Sequence, residues 1–212
     1  MNIRKKILSI IFAVCWIPNT VSAISVDAWG GYSIARSSAY DALDSQFTLL
    51  NTLATANGYA VTGSGGTRGG IAFGGDFWVG VLPKVDLGLG VAYMPLYALD
   101  WTATKGTSSI AMSGTIGAIP IMAQAKVSLL AGLYVGAGLG YALGTGTVKA
   151  VANGLTTSAT AQGSVGAMMA MIGYDVISAG VVKFGLEVRY YIMLDTSTLH
   201  NILPLAKVEF GF

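Results

Sequence analysis

From Val182 to Asp195 every second residue is apolar: Val182, Phe184, Leu186, Val188, Tyr190, Ile192 and Leu194 alternate with Lys183, Gly185, Glu187, Arg189, Tyr191, Met193 and Asp195. Side chains on a strand point alternately to its two faces, so the four charges share one face and the apolar set the other. On a helix Glu187 and Arg189 would sit about 200° apart, and no apolar stripe could exclude both. The same partition separates Ile71, Phe73, Phe77, Val79 and Val81 from Arg68, Asp76 and Trp78. It recurs in Val85, Leu87, Leu89, Val91 and Tyr93 against Asp86, Gly88, Gly90 and Ala92, and in Leu133, Val135, Ala137, Leu139, Tyr141 and Leu143 against glycines and small residues.

Carried along the chain, this period of two predicts eight strands over 24–36, 67–82, 84–98, 108–127, 130–146, 158–174, 180–195 and 202–212. The connections after the second, fourth and sixth strands are short, and the other four are longer or more polar, which is the asymmetry of a transmembrane barrel with short periplasmic turns. A phase shift between Ile116 and Ile119, beside Pro120, predicts a bulge in the fourth strand. In the first long connection Tyr40, Leu43, Phe47, Leu50, Leu53 and Ala54 follow a helical stripe, with Ser38 and Asp41 placed to cap the first turn and Gly58 beyond the end.

Only helices and closed barrels satisfy every backbone polar group in lipid. Residues 106–125, 127–148 and 150–174 carry no charge, and Gly132, Gly136, Gly140 and Gly144 imitate a helix-packing seam, so the helical bundle is the competing reading. The alternation of charged and apolar positions in Val182 to Asp195 decides against it, because a bundle would turn ionisable groups to lipid. The fold class is therefore all-β: an eight-stranded antiparallel transmembrane β-barrel with an amphipathic helix in the first outer loop.

Composition agrees. Hydrophobic residues make up 53% of the chain and charged ones only 10%, where roughly 25% charged is ordinary for a soluble domain. Arg4, Lys5 and Lys6 precede the apolar run Ile7 to Ile17, and Val21-Ser22-Ala23 follows, so residues 1–23 read as a signal peptide and 24–212 as the barrel domain. Without those three cations nine Lys or Arg face ten Asp or Glu, which leaves no footprint for nucleic acid. Cys15, the one cysteine, lies in the export segment, so the mature chain holds no disulfide. The 29 glycines suit the crowded interior of a narrow barrel, and Tyr93, Tyr97 and Trp101 at outer strand ends, with Tyr174, Phe210 and Phe212 at inner ones, read as interfacial girdles.

Asp27, Asp76, Asp86, Lys126, Lys183, Glu187, Arg189, Lys207 and Glu209 are all expected to point inward. Eight strands enclose a space that side chains fill, so opposite charges there should pair and block flow; a conducting lumen would use them instead as a selectivity lining. The apolar face of the loop helix, Tyr40, Leu43, Phe47 and Leu50, is expected to pack on the rim, the alternative being a lid over a small apolar cavity.

The mature chain resembles the small outer-membrane barrels grouped around OmpA transmembrane domains, OmpX, the opacity proteins and OmpW. The ending Val208-Glu209-Phe210-Gly211-Phe212 is similar to their C-terminal insertion signal, with Val208, Phe210 and Phe212 at its apolar positions. The resemblance implies an integral protein of the outer membrane of a Gram-negative-type bacterium, contacting outer-membrane lipid and, during insertion, the barrel assembly machinery. It implies a structural, adhesive or surface-interaction role for a monomer with a filled lumen, with host or matrix ligands at the outer loops. The alternative is an OmpW-like narrow conduit for small hydrophobic molecules.

A lipid-modifying enzyme is the third reading. His200, the single histidine, stands near Asp195, Ser197 and Thr198, but that order does not match the motifs of such enzymes, and sequence nearness does not place a nucleophile on a base. No catalytic residue, metal cluster or cofactor fingerprint is expected; Gly136-Ala137-Gly138 lies mid-strand, where no dinucleotide loop can form.

Overall fold

The structure, a computed structural model, describes residues 23–130, 132–194 and 198–212, with residues 64 and 65 by their backbone only. The expected signal peptide up to residue 22, with Cys15, lies outside the described residues, as do Asp195 and Ser197. The elements in order are β1 (Ile24–Arg36), α1 (Ser38–Ala56), β2 (Ala60–Arg68), β3 (Gly70–Leu82), β4 (Val85–Lys105), β5 (Ser108–Ser128), β6 (Leu133–Ala152), β7 (Leu155–Ala179), β8 (Val182–Leu194) and β9 (Leu199–Gly211).

Eight of these strands close an antiparallel ring, β1-β3-β4-β5-β6-β7-β8-β9, because β1 pairs with both β3 and β9. Phe212 N donates to Ile24 O at 2.7 Å, sealing the seam at the end where both described termini meet. The outer surface is the apolar set of the sequence pattern: Ile71, Leu89, Leu139 and Leu186 are each 60% or more exposed, a surface that only lipid covers. The glycine series 132, 136, 140 and 144 belongs to β6 and the turn before it, so the helix-seam alternative is overturned.

Strand β2 continues β3 past a break. Gly69 has φ 91°, and a Cβ there would lie 1.8 Å from Ser33 O, so only glycine passes this corner. Beyond it β2 pairs with β4 alone.

Several strands run further than the alternation indicated. β4 reaches Lys105, β6 Ala152 and β7 from Leu155 to Ala179, and two of the expected long outer connections are two-residue turns, Gly106-Thr107 and Asn153-Gly154. The second has positive φ at both residues, the geometry that continues the twist of a hairpin. The asymmetry of the barrel thus comes from strand length.

The expected bulge in the fourth strand is absent: β5 pairs with β6 from Ile110 to Ser128 without a shift. Ile116 simply faces inward with Ala118 and Pro120, while Ile119 faces out. The irregularity lies opposite, in β4, where the register with β5 slips between Pro95 and Tyr97. Leu96 and Tyr97 are consecutive inward residues, and every later side chain of β4 changes face. Tyr97 and Trp101 are therefore buried inside, and of the expected outer girdle residues only Tyr93 stands on the lipid face, its ring 5.5 Å from that of Phe73.

The outward faces of β4 to β7 change character at one level. On β6, Leu139, Tyr141 and Leu143 give way to Thr145, Thr147 and Lys149; on β7, Ile172 and Met168 give way to Ser164, Gln162 and Thr160. The register sets Leu143 beside Ser164 and Thr145 beside Gln162, and sets Thr115 of β5 beside Thr147. Water-loving residues outside a barrel cannot face hydrocarbon, so this line marks the outer edge of the membrane. Above it β2, β4, β5, β6 and β7 form an open five-stranded sheet.

Candidate functional site

The inward charges meet in two layers of a packed plug. Toward the periplasmic end Glu209 accepts from Lys183 at 2.8 Å, Lys207 at 3.1 Å and Lys126 at 3.3 Å. Lys207 also lies 3.7 Å from Asp27 and 3.2 Å from Asp175, and Lys126 3.7 Å from Asp86. Further up, Arg189 pairs with Glu187 and donates to Asp76, whose carboxylate also receives Trp29 Nε1 at 3.0 Å and Gln124 Nε2 at 2.6 Å. Trp78 Nε1 donates to Asp27 at 3.0 Å, and Tyr134 Oη to Glu187 at 2.6 Å.

All nine expected residues thus take part, with Asp86 and Lys183 at the wetter rim. Trp78, already placed on the face of Asp76 by the alternation, joins them as a donor; Asp175, Gln124, Trp29 and Tyr134, which the sequence did not single out, join them too. The rings also receive the cations: Lys126 Nζ lies 4.5 Å from the centre of Trp78, and Lys207 Nζ 4.4 Å from that of Tyr134. Glycine makes room for these large groups, since a Cβ on Gly90 would lie 2.1 Å from Asp76 Oδ1 and one on Gly74 2.4 Å from the Trp29 ring.

Over the plug lies an apolar layer in which Met94, Met122 and Leu203 are almost fully buried. Above that opens a cavity of about 430 Å³ whose described lining residues are all uncharged, among them Tyr40, Leu96, Ile116, Val165 and Met193.

Helix α1 stands in the mouth against the inner face of β4. Its N-cap is Ser37, one residue before the expected Ser38; Ser37 Oγ accepts from Ala39 N at 3.3 Å. The Tyr40 ring stacks on Tyr97 with centroids 5.1 Å apart, Phe47 packs beside Trp101 and Ala103, and Asn51 Oδ1 accepts from Trp101 Nε1 at 2.6 Å. Asp44 receives Tyr97 Oη at 2.8 Å and the Arg68 guanidinium, which also lies 2.8 Å from Asp41. The docked stripe is therefore Tyr40, Leu43, Asp44, Phe47 and Asn51. Leu50, expected on that stripe, is instead 39% exposed at its flank and lines a shallow hollow with Leu53, Tyr59 and, from β4, Ala103 and Lys105, because 100° per residue carries the contact line from Phe47 to Asn51.

Burial opposes ionisation of Asp44, but the hydrogen bonds from Arg68 and Tyr97 and the guanidinium charge outweigh it and hold the carboxyl below its ordinary value of 3.8. Burial pushes the Tyr40 hydroxyl up to about 12.

His200 takes an outward position on β9, where Tyr190 Oη lies 2.6 Å from its Nδ1. Val208 and Phe210 face outward on the last strand, and Phe212 follows its end.

No protein-family model matches the chain, and no curated protein matches it in sequence. Solved structures do match in shape. The attachment invasion locus protein Ail of Yersinia pestis superposes with a TM-score of 0.50 at 12% identity over 88% of this chain and 98% of that one. The same protein in complex with the heparin analogue sucrose octasulfate gives 0.50 at 13% identity over 89% and 99%. Neisserial surface protein A gives 0.42 at 11% identity over 89% and 97%. Identities this low speak for architecture, and the architecture of this chain is that of the small eight-stranded outer-membrane β-barrels.

Proposed function

We propose that this integral outer-membrane barrel is a non-conducting anchor that holds an open β-sheet outside the membrane for strand-to-strand pairing with a partner surface. The observation that carries the reading is the edge of β7 from Leu155 to Val165. Residue pairing with β8 begins only at Gly166, and among the described residues no strand covers β7 above it. Sheet edges are usually blunted by lysine, proline or a bulge. This one reads Leu-Thr-Thr-Ser-Ala-Thr-Ala-Gln-Gly-Ser-Val, uncharged and regular in its pairing with β6. An extended segment laid beside it would gain main-chain hydrogen bonds.

The plug supports the non-conducting half of the reading, since opposite charges in a lumen of this width pair with one another. The Ail complex contains a polyanion, but a polyanion needs clustered cations. On the protruding sheet Lys105 is engaged by Asn57 O at 2.7 Å, Arg68 is held by Asp41 and Asp44, and Lys149 stands on a face of threonines. An uncharged extended partner fits better. No catalytic step is part of this reading.

The test is attachment of bacteria displaying the barrel to host cells or matrix, together with bilayer recording of the purified protein. Proline at Ala159 or Thr160 removes one N–H from β7, and one of the two positions presents its N–H to the open edge. Attachment should fall in one of the two variants while boiling still slows migration on gels. Unchanged attachment in both, or a steady conductance from the parent protein, would overturn the proposal.

A further inference from the structure

We infer that the cavity between α1 and the inner wall of β5, β6 and β7 is a closed-bottomed binding site for an uncharged, largely apolar small molecule, held open by glycines kept for their lack of a side chain. This goes beyond the pairing role proposed for the β7 edge and uses a different surface of that strand.

The case begins with where the glycines stand. Lower on the inner face of β6 glycines are forced by neighbours: a Cβ would lie 2.0 Å from Ile121 O at Gly140 and 2.2 Å from the Met171 methyl at Gly136. Gly144, Gly146 and Gly163 line the cavity and are free of such demands. A Cβ would find nothing within 4 Å at Gly163, and its nearest neighbours would be 3.8 Å away at Gly144 and 3.9 Å at Gly146. None of the three has a positive φ. Backbone geometry and packing would both accept a larger residue, and glycine in a strand interior weakens the strand. What the three glycines provide is space.

That space has the character of a ligand site. Its volume of about 430 Å³ lies inside the range of roughly 300–1,000 Å³ for small-molecule pockets. Ile116, Val165, Leu96 and Met193 supply apolar walls, Tyr40 comes from α1, and Ser37 is at the helix start. None of the described residues lining it is charged, so an ionic ligand would lose its hydration there without a partner among them. Below, the buried lining residues Ala118 and Ala142 lead to Met94, which pairs with Ala118, and with Met122, Leu203 and the charged plug beneath they close the floor. The site receives a molecule from the outer side and holds it, and nothing passes through.

Methyl NMR of the protein labelled at methionine separates the site from the lipid phase, because Met193 lines the cavity while Met168 faces outward into lipid. Titration with indole should shift the Met193 methyl saturably and leave Met168 without a saturable change. Gly163→Leu, which fills the cavity from a position with open space, should weaken that binding at least roughly tenfold with the barrel still heat-modifiable. Should that variant fail to fold, Gly146→Val makes the same test. A Met193 shift that merely tracks Met168, or a folded filled variant binding within about twofold of the parent, would overturn the inference. Either result leaves the attachment assay of the β7 edge untouched.

Discussion

Asp27 lies directly across from Asp76 in the pairing of β1 with β3, and across from Glu209 in the pairing of β1 with β9. Three acids thus stand in one row on adjacent strands, all buried. Like charges opposite one another destabilise a sheet, so the row exists because cations reach it from elsewhere: Arg189 to Asp76, Lys207 to Asp27, and Lys126 and Lys183 to Glu209.

Arg189→Ala removes the cation at one end of the row and leaves Asp76 and Glu187 buried without their partner. Breaking a buried pair costs about 3–5 kcal/mol, and less where water enters. Thermal unfolding in detergent should shift down accordingly. Adding Asp76→Asn to Arg189→Ala should recover part of the loss, since the uncompensated charge is then removed; an unchanged melting temperature in the single variant would show that the plug is not structural.

The lipid-facing alternation made the barrel legible because Lys183, Glu187 and Arg189 share a strand with seven outward apolar residues. The inward charges were legible for the same reason. The slip at Leu96 was not: Tyr97 and Trp101 look like girdle aromatics unless the phase change is known, and aromatic residues suit both places. The outer strand extensions read as loops because above the membrane the pattern reverses, with Thr145, Thr147 and Lys149 outside and Gly144, Gly146 and Val148 inside. Asp175 escaped because it lies just past the expected strand end, beside the irregularity between Asp175 and Ile177.

The docking of α1 should depend on pH through Asp44. Its folded value lies below the ordinary 3.8, so the stabilisation is complete above the ordinary value and fades as pH falls through the lowered one. Both partners are partly exposed, which limits Asp44→Asn to a cost of about 1 kcal/mol. Hydrogen exchange across residues 38–56 should quicken in acid and in Asp44→Asn at neutral pH, with the strands of the ring unaffected. Equal protection of α1 at both pH values would sink the latch.

Phe212 and Glu209 should fail in different ways. Phe212 is 82% exposed and makes the seam through its backbone, so Phe212→Ser leaves the folded contacts in place and should reduce the amount assembled. Glu209 collects three lysines, so Glu209→Gln should assemble in near-normal amount and melt lower. Pulse-labelling of membrane fractions reads the first effect and gel shift against temperature the second; a shared phenotype would contradict the division of labour.

The level at which the outer face turns from apolar to polar fixes where the hydrocarbon ends, and β6 allows that level to be measured on one strand. Leu139 and Thr147 both point outward, four residues on either side of Leu143, the last large apolar residue before the change. Arginine at Leu139 would meet the interior of the bilayer and should cost about 2–4 kcal/mol, whereas near or beyond the interface the cost falls to roughly 0–1 kcal/mol. Urea titration of folding into lipid vesicles should therefore separate Leu139→Arg sharply from Thr147→Arg. If Thr147→Arg proved as costly, the hydrocarbon would reach past Thr147 and the sheet above Leu143 would be embedded, leaving the β7 edge covered by lipid and unable to meet a partner in water. If both were cheap, the barrel would sit lower than Leu139, a result that the exposed apolar belt of Leu139, Tyr141 and Leu143 speaks against.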